Sequence, residues 1–389
     1  MTGTAAPKLN FIGRILDHSG EISTTLDMLR TQRFPPNAQK TLREFGLTEA
    51  ATILGVSGSY LKKLERDKGV KPTTVTPAGR RSYSLEKIHE LREITNRVPH
   101  RKLHEKLQVI AAVNFKGGSG KTTTAAHLAQ YLALKGHRVL VIDLDPQASL
   151  TSMYGIQPEL DNKPSLYEAL RFDDQRCSIK DVIQPTNFPN LDIVPANLEL
   201  QEYEYETPLA MHGPNSKEGK LFWTRIITAL NEIDSRYDIV VIDCPPQLGY
   251  LTLTALTAAT AALITIHPQM MDVMSMAQFL AMLGGILGPL EKVGVPLRLE
   301  WFRYLITRYE PTDIPQQQMV GLMQAMFTED MLKHQMVKST AVSDAGLTKQ
   351  TLYEVERGQF TPQTYDRARE ALDAVNDEIL QLINKAWGR

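Results

Sequence analysis

Cysteine is almost missing from this chain. Cys177 and Cys244 are the only two in 389 residues, too few and too isolated for a disulfide framework or a zinc site. A long uninterrupted hydrophobic run is lacking as well. The stretch LTLTALTAATAALITI (251–266) is short for a membrane span and carries five threonines, which predicts no membrane partner. The opening MTGTAAPKLN has no apolar core of the kind a secretory leader needs. No internal repeat is visible. Net charge is nearly absent, at -1. Together these deficits argue against a disulfide-stapled secreted scaffold, a zinc module and a membrane-spanning protein, and they predict a cytoplasmic location. An apolar fraction of 42% and a charged fraction of 22% are those of an ordinary globular protein. The length accommodates two domains and a smaller appendage.

The near-zero net charge hides an asymmetry. Residues 1–106 hold 19 Lys+Arg against 11 Asp+Glu, a net of +8, while the remainder holds 24 against 33, a net of -9. A basic front part on an acidic body points to a polyanion partner for the front, although a basic solvated face without a partner gives the same count. Residues 1–45 read as an arm, helical in parts, interrupted by FPPN (34–37) and without a strong apolar stripe. Unable to bury a core alone, it is an arm or a dimerisation element. Residues 46–106 change character. LTEAATILGVSGSYLKKLE (47–65) reads as two short helices around a turn at Gly55, with Thr48 and Ser57 as N-caps and with Ala51, Ile53 and Leu54 of the first facing inward. The second helix buries Leu61 and Leu64 and exposes Tyr60, Lys62, Lys63 and Arg66. A strand-like segment with a turn at Pro77–Gly79 follows, carrying Arg80, Arg81 and Tyr83, and Ser84 then opens a further helix.

From Leu107 to the end the pattern alternates apolar strands with amphipathic helices, which predicts an α/β domain (107–389) with a mostly parallel sheet. Strands are expected at 108–113, 138–144, 191–195, 237–243, 262–267 and 300–307, their Val/Ile/Leu runs suiting burial on both faces. The segment 202–220, polar with Gly and Pro, is expected to be the most mobile part of the chain. One further deficit falls in the most informative place. VNFKGGSGKTTT (113–124) ends as a phosphate-binding loop ends, in Gly120, Lys121 and Thr122, but has Phe115 where the first glycine of G-x-x-x-x-G-K-[ST] belongs, followed by an unexpected Lys116. Strand, glycine loop and helix stand in the order a phosphate cradle needs. Backbone N–H groups of Gly117, Gly118, Ser119 and Gly120 can converge on phosphate oxygens at the helix N-terminus. Lys121 is suited to the β- and γ-phosphates, the Thr122 hydroxyl to Mg²⁺, and Thr123 to the α-phosphate. Asp243 ends an apolar strand, as the acid behind a Mg²⁺ water shell would. Asp143 and Asp145 end another, two residues apart and therefore on one side of an extended chain.

KGGSGKTTT, VLVIDLDPQAS and IVVIDCPP, in this order, resemble the ParA/MinD family of ATPases with a deviant Walker A loop, over roughly residues 107–389. The resemblance implies ATP/ADP and Mg²⁺ as ligands and a homodimer that sandwiches the nucleotide. In it Lys116 reaches the phosphates bound by the partner subunit, much as an arginine finger does. It further implies that Asp145 positions the attacking water, that Gly117 lies in the sandwich interface and that Asp143 belongs to the Mg²⁺ surroundings. HPQMMD (267–272) and VSDAG (342–346) are weaker matches. In the second, Asp344 stands where the family has Glu and the usual upstream proline is absent, so base contacts stay unassigned.

The branches of the family divide by cargo. MinD-type proteins end in a basic amphipathic membrane helix. This C-terminus, YDRAREALDAVNDEILQLINKAWGR, is acidic as far as Glu378 and reads as a packing helix. Cluster-bridging relatives need cysteines that Cys177 and Cys244 do not provide. Residues 46–106 resemble the winged helix-turn-helix of MerR-type regulators. On that resemblance Tyr60, Lys62, Lys63 and Arg66 enter the major groove, and Arg80 and Arg81 grip phosphates from the wing. The combined layout resembles the large plasmid-partition ParA proteins, including the RepA proteins of repABC replicons. That branch implies a nucleoid-associated partition ATPase stimulated by a ParB-type centromere-binding partner. It also implies binding to operator DNA and, as the closed dimer, to non-specific DNA, with Arg308, Lys338 and Arg357 as candidate contacts. A nucleotide-regulated repressor without a transport role and a MinD-like positioning ATPase are the alternatives.

Overall fold

A computed structural model describes residues 11–33, 40–156, 163–213, 219–292 and 294–389. Two compact units are present, Met1–Thr41 and Leu42–Arg389. In the first, helix α1 (Phe11–Arg33) exposes Phe11, Ile12, Ile15, Leu16 and Ile22 to solvent. The expected FPPN interruption lies outside the described residues.

The second unit opens with strand β1 (Phe45–Gly46), helices α2 (Leu47–Leu54) and α3 (Gly58–Lys68), strands β2 (Thr74–Val75) and β3 (Arg81–Tyr83), and helix α4 (Leu85–Ile94). Helix α2 buries Ala50, Ala51, Ile53 and Leu54, and α3 buries Leu61 and Leu64, the faces expected from apolar spacing. Gly55 makes the turn at φ 76°, in the left-handed region that glycine enters without penalty. Ser57 accepts from Tyr60 N at 3.1 Å and Ser84 from Lys87 N at 3.3 Å, so both are the caps expected. Thr48 is not a cap. Helix α2 starts two residues earlier than that cap implies, with Gly46 at the N-cap position, because pairing of Phe45 with Tyr83 and of Gly46 with Ser82 ends the strand there.

The remainder is built on a seven-stranded sheet in the order β10-β9-β4-β8-β5-β7-β6. Its strands are β4 (Gln108–Val113), β5 (Val139–Asp143), β6 (Gln184–Pro185), β7 (Leu191–Val194), β8 (Ile239–Asp243), β9 (Ala261–Ile266) and β10 (Trp301–Ile306). All neighbours pair in parallel except β6 with β7. The six expected strands are present. The seventh, β6, was not anticipated: two residues, one of them proline, carry no period, and proline is tolerated there because the strand lies at the sheet edge. Alternate residues feed two cores. Ile110 and Ala112 pack with Leu128 and Leu132 of helix α5 (Lys121–Leu134) and with Leu372, Val375 and Ile379 of the C-terminal helix Pro362–Ala386. Val109, Ala111 and Val113 pack on the other face with Leu251 and with Met276 and Phe279 of the helix Met270–Lys292. That last helix is long and apolar enough to cross a membrane by length and composition, yet Met276 and Phe279 bind it into this core. The C-terminal helix is the packing helix expected.

The first half of the segment 202–220 is regular structure. Glu202–His212 is helical despite Pro208. Its register is set by long-range contacts: the buried Tyr203 hydroxyl donates to Phe222 O at 3.1 Å, and Glu204 accepts from Tyr250 N and Leu251 N at 2.9 and 3.0 Å. Residues 214–218 lie outside the described residues.

Helix α4 meets the far end of α5. His89 Nε2 lies 3.0 Å from Ala133 O. Arg92 is 7% exposed and donates through Nη2 to Leu134 O at 3.1 Å and also to Ile53 O. One guanidinium therefore serves the C-terminal carbonyls of α2 and α5 together, the negative ends of both helix dipoles. Gly136 makes this approach possible, since a Cβ there would stand 2.8 Å from Arg92 Cδ. On the C-terminal helix, Arg369 stacks on Tyr353 with its guanidinium 4.3 Å from the ring centroid and reaches Glu49 of α2 at 3.7 Å.

Candidate functional site

Between β4 and α5 the chain forms the phosphate-type loop. Gly118 (φ 74°) and Gly120 (φ 87°) are left-handed, and Gly120 is the N-cap of α5 with no side chain capping its N–H groups. Those donors are the ones a phosphate can take. Neighbouring strand ends hold the loop. Asn114 Nδ2 donates to Thr265 O at 2.6 Å, and Asn114 Oδ1 accepts from Lys116 N at 2.9 Å. Ser119 Oγ is 3.0 Å from Thr265 Oγ1, and Thr307 Oγ1 donates to Ser119 O at 2.7 Å. Thr307 atoms also stand 3.2–3.3 Å from where a Cβ of residue 120 would lie, so only glycine fits there.

A cavity of about 590 Å³ opens over this loop. Gly117, Gly118, Ser119, Gly120, Lys121, Thr122, Thr123 and Asp145, all singled out in the sequence, are among its lining, together with Met153, Val342, Gly346 and Leu372. Val342 and Gly346 come from the VSDAG segment, whereas Asp344 does not reach the cavity. The volume and the mixed polar and apolar lining suit a nucleotide. Lys121 Nζ donates to Lys116 O at 3.3 Å. Burial lowers its pKa, while Asp243 and Asp145 oppose that shift. His127, buried beside the loop helix, lies with Nδ1 2.7 Å from Thr123 O and accepts from Leu352 N at 3.4 Å. Burial brings its pKa to about 4, so it is a neutral structural ring.

Asp143 and Asp243 lie side by side in the register of β5 and β8. Asp143 is fully partnered, accepting from Asp145 N at 3.1 Å and from Thr151 N and Oγ1 at 2.8 and 2.7 Å. Both oxygens of Asp243 are buried without a hydrogen-bond partner. Burial and the Asp143 charge raise its pKa well above the carboxylate range, against the pull of Thr122 and Lys121. An orphaned buried carboxylate beside a threonine hydroxyl fits a hard divalent cation bound by oxygen, directly or through water. Thr122 and Asp243, with Asp143 behind them, are the residues suited to Mg²⁺. Asp145 stands at the cavity edge, its Oδ1 accepting from Gln147 N at 3.0 Å.

Lys116 is set apart from this group. It does not line the cavity, and its Nζ lies 2.7 Å from Asp272 Oδ1 at the start of the helix Met270–Lys292. Asp272 is 7% exposed and its other oxygen stands 3.8 Å from His267 Nδ1. The sequence had shown the HPQMMD segment only as a weak family match. Its pairing with Lys116 was not legible.

The basic positions of the front region are on the surface. Tyr60, Lys62, Lys63 and Arg66 are exposed on α3, and Arg80 is exposed beside the hairpin turn. Arg81 is half-buried and tied to Glu65 of α3 at 3.0 Å, and Glu65 also accepts from the Tyr83 hydroxyl. Among the cations of the body, Lys338 pairs with Glu310 at 2.9 Å and Arg357 binds both oxygens of Asp366 at 2.7 and 2.6 Å. Arg308 and Lys338 both line the cavity over the loop, and Arg308 Nη1 donates to Gly118 O at 3.1 Å.

A family model described as an AAA domain matches residues 107–290. The chain is 65% identical over 394 residues to a protein carried under the name replication protein A in Sinorhizobium fredii, a match spanning 99% of this chain and 97% of that one. It is 31% identical over 241 residues to the chromosome partitioning protein ParA of Caulobacter vibrioides, spanning 61% of this chain and 84% of that one. A solved structure described as a partition protein shares the fold with a TM-score of 0.66, at 18% identity, over 96% of this chain and 99% of that one. Relatedness across most of a ParA protein's length, on a chain with this loop and these strand-end acids, means that the chain belongs to the ParA family of P-loop ATPases.

Proposed function

We propose that this chain is the partition ATPase of a plasmid or secondary replicon and works as an ATP-sandwiched homodimer. The observation that carries the proposal is the presence of two features in one compact unit: a cavity over a glycine loop that has an extra lysine, and the short helices α2 and α3 beside a hairpin bearing Arg80 and Arg81. Helix α5 joins them, starting at Gly120 in the loop and ending at the carbonyls that His89 and Arg92 hold.

In this mechanism the loop N–H groups, Lys121 and Thr123 hold the phosphates, and Thr122 and Asp243 hold Mg²⁺. Held there, the cation would supply charge neutralisation to the phosphates. Asp145 orients the attacking water. Lys116 exchanges Asp272 for the phosphates of the partner subunit, so that hydrolysis requires the closed dimer. On the front region, α3 presents Tyr60, Lys62, Lys63 and Arg66 to the major groove of an operator, with Arg80 on a phosphate. Repression of the chain's own operon is favoured by ADP. The closed ATP dimer binds nucleoid DNA without sequence preference, with an affinity that falls steeply with salt.

A ParB-type protein bound to its centromere DNA is expected to raise ATP turnover and release the dimer from DNA. Turnover that ignores both additions would favour a nucleotide-regulated repressor with no transport role. Lys116→Ala is expected to lose ATP-dependent dimerisation and hydrolysis together, and survival of both would remove the sandwich mechanism. ATP-dependent sedimentation with liposomes, if it required the helix Pro362–Ala386, would favour a membrane-positioning ATPase.

A further inference from the structure

We propose that Arg308 is a phosphate-binding cation of the nucleotide cavity, acting within its own subunit, an assignment that rests on the ATP-site reading above. The first observation is its backbone. Arg308 has φ 52°, a left-handed conformation that costs any residue with a Cβ but is tolerated by asparagine, as at Asn96 and Asn190 in this chain. Strain of this kind persists only where the surroundings enforce it, and it gathers at binding sites.

The enforcement is visible on both sides of the residue. Thr307 N donates to Ile266 O at 2.8 Å, Tyr309 N to Met336 O at 3.0 Å, and Lys338 N to Tyr309 O at 2.9 Å. Pinned in this way, the end of β10 forms a wall of the phosphate loop, with Thr307 against Ser119 and Gly120.

The second observation is where the side chain goes and what it lacks. Its guanidinium makes one hydrogen bond, to Gly118 O at 3.1 Å, and no carboxylate lies within 4.0 Å of it among the described residues. Lys338 and Arg357, by contrast, are both paired with acids. The group is exposed, so burial does not account for its placement. It lines the same cavity as Lys121, Thr122 and Asp145, and its bond to Gly118 O places it at the loop. A planar guanidinium with unused N–H donors, held beside backbone donors of a phosphate loop, matches a phosphate group in charge and geometry. The ligand class is thus the phosphate chain of a nucleoside di- or triphosphate, with Arg308 joining Lys121 as a cavity cation that no acid neutralises, whereas Lys338, which also lines the cavity, is paired with Glu310.

The test uses the full chain and a fluorescent N-methylanthraniloyl ATP, with affinity and thermal unfolding read on each variant. Arg308→Ala is expected to weaken binding at least about tenfold, and Arg308→Lys to recover part of the loss. Arg308→Asn suits the backbone, so it is expected to keep or raise the Tm while losing affinity as the alanine variant does. Non-specific DNA binding at saturating ATP should be unchanged in all three. Unchanged nucleotide affinity overturns the assignment, and if DNA binding falls instead, Arg308 is a DNA contact. Lys121→Ala serves as the reference: full nucleotide affinity in that variant overturns the ATP site itself and the Arg308 assignment with it.

Discussion

Replacing Asp243 with asparagine isolates the cation site from the rest of the nucleotide chemistry. The residue is 1% exposed, neither carboxylate oxygen has a hydrogen-bond partner, and Asp143 lies beside it in register. Burial, then the Asp143 charge, raise its folded-state pKa well above 3.8. A carboxyl raised on folding contributes stability that is fully present below its unfolded pKa and is lost as pH rises through the folded value. At neutral pH, then, the ionised group is a liability of about 1–3 kcal/mol, the cost of a buried polar group left unsatisfied, with charge placing it toward the upper end. Asparagine keeps the shape and removes the charge. In EDTA at about pH 7.5, Asp243→Asn is expected to exceed the parent in stability by about 1–3 kcal/mol, with the gain fading toward about pH 4. Added Mg²⁺ should stabilise the parent and leave the variant unmoved, because a ligand stabilises only the state that binds it. Urea unfolding followed by circular dichroism, with and without Mg²⁺ across that pH range, reads both effects. A variant less stable than the parent at neutral pH, or one that Mg²⁺ stabilises equally, would refute the assignment of Asp243 to the cation.

Asp145→Ala is expected to bind ATP with parental affinity while turnover falls by about 10²-fold or more. Normal single-turnover hydrolysis would remove its water-orienting role. Arg92→Ala leaves the carbonyls of Ile53 and Leu134 without their shared donor, and should cost about 2–4 kcal/mol in denaturant unfolding, the scale of two hydrogen bonds to a buried charge. A change below about 0.5 kcal/mol would show that this contact is dispensable. The two hairpin arginines should separate. Arg80→Ala is expected to weaken operator binding and reduce its salt slope by about 1, with stability unchanged. Arg81→Ala, which frees Glu65, should act mainly on stability. Equal operator defects with no loss of stability would place Arg81 on DNA as well.

The parts of this protein that its sequence determined are those in which neighbouring residues do the work. Near-continuous apolar runs marked six of the seven sheet strands because strands buried on both faces need no partner to be recognised. The glycine loop, the Ser57 and Ser84 caps and the inward faces of α2 and α3 were legible for the same reason, since turn, cap and periodicity all act within a few residues. Where the local signal failed, tertiary contacts had decided. Glu202–His212 is helical through Tyr203 and Glu204, whose partners lie at Phe222, Tyr250 and Leu251. Thr48 lost the cap because β1 pairs with β3. The site divides along the same line. Lys116 was conspicuous as an intruder in the loop, but its carboxylate, Asp272, is more than a hundred residues away in the chain, and Arg308 is farther still. The order β10-β9-β4 brings both to the loop by laying three parallel strands with their carboxyl ends together. No local pattern encodes that juxtaposition, because it exists only once the strands have paired.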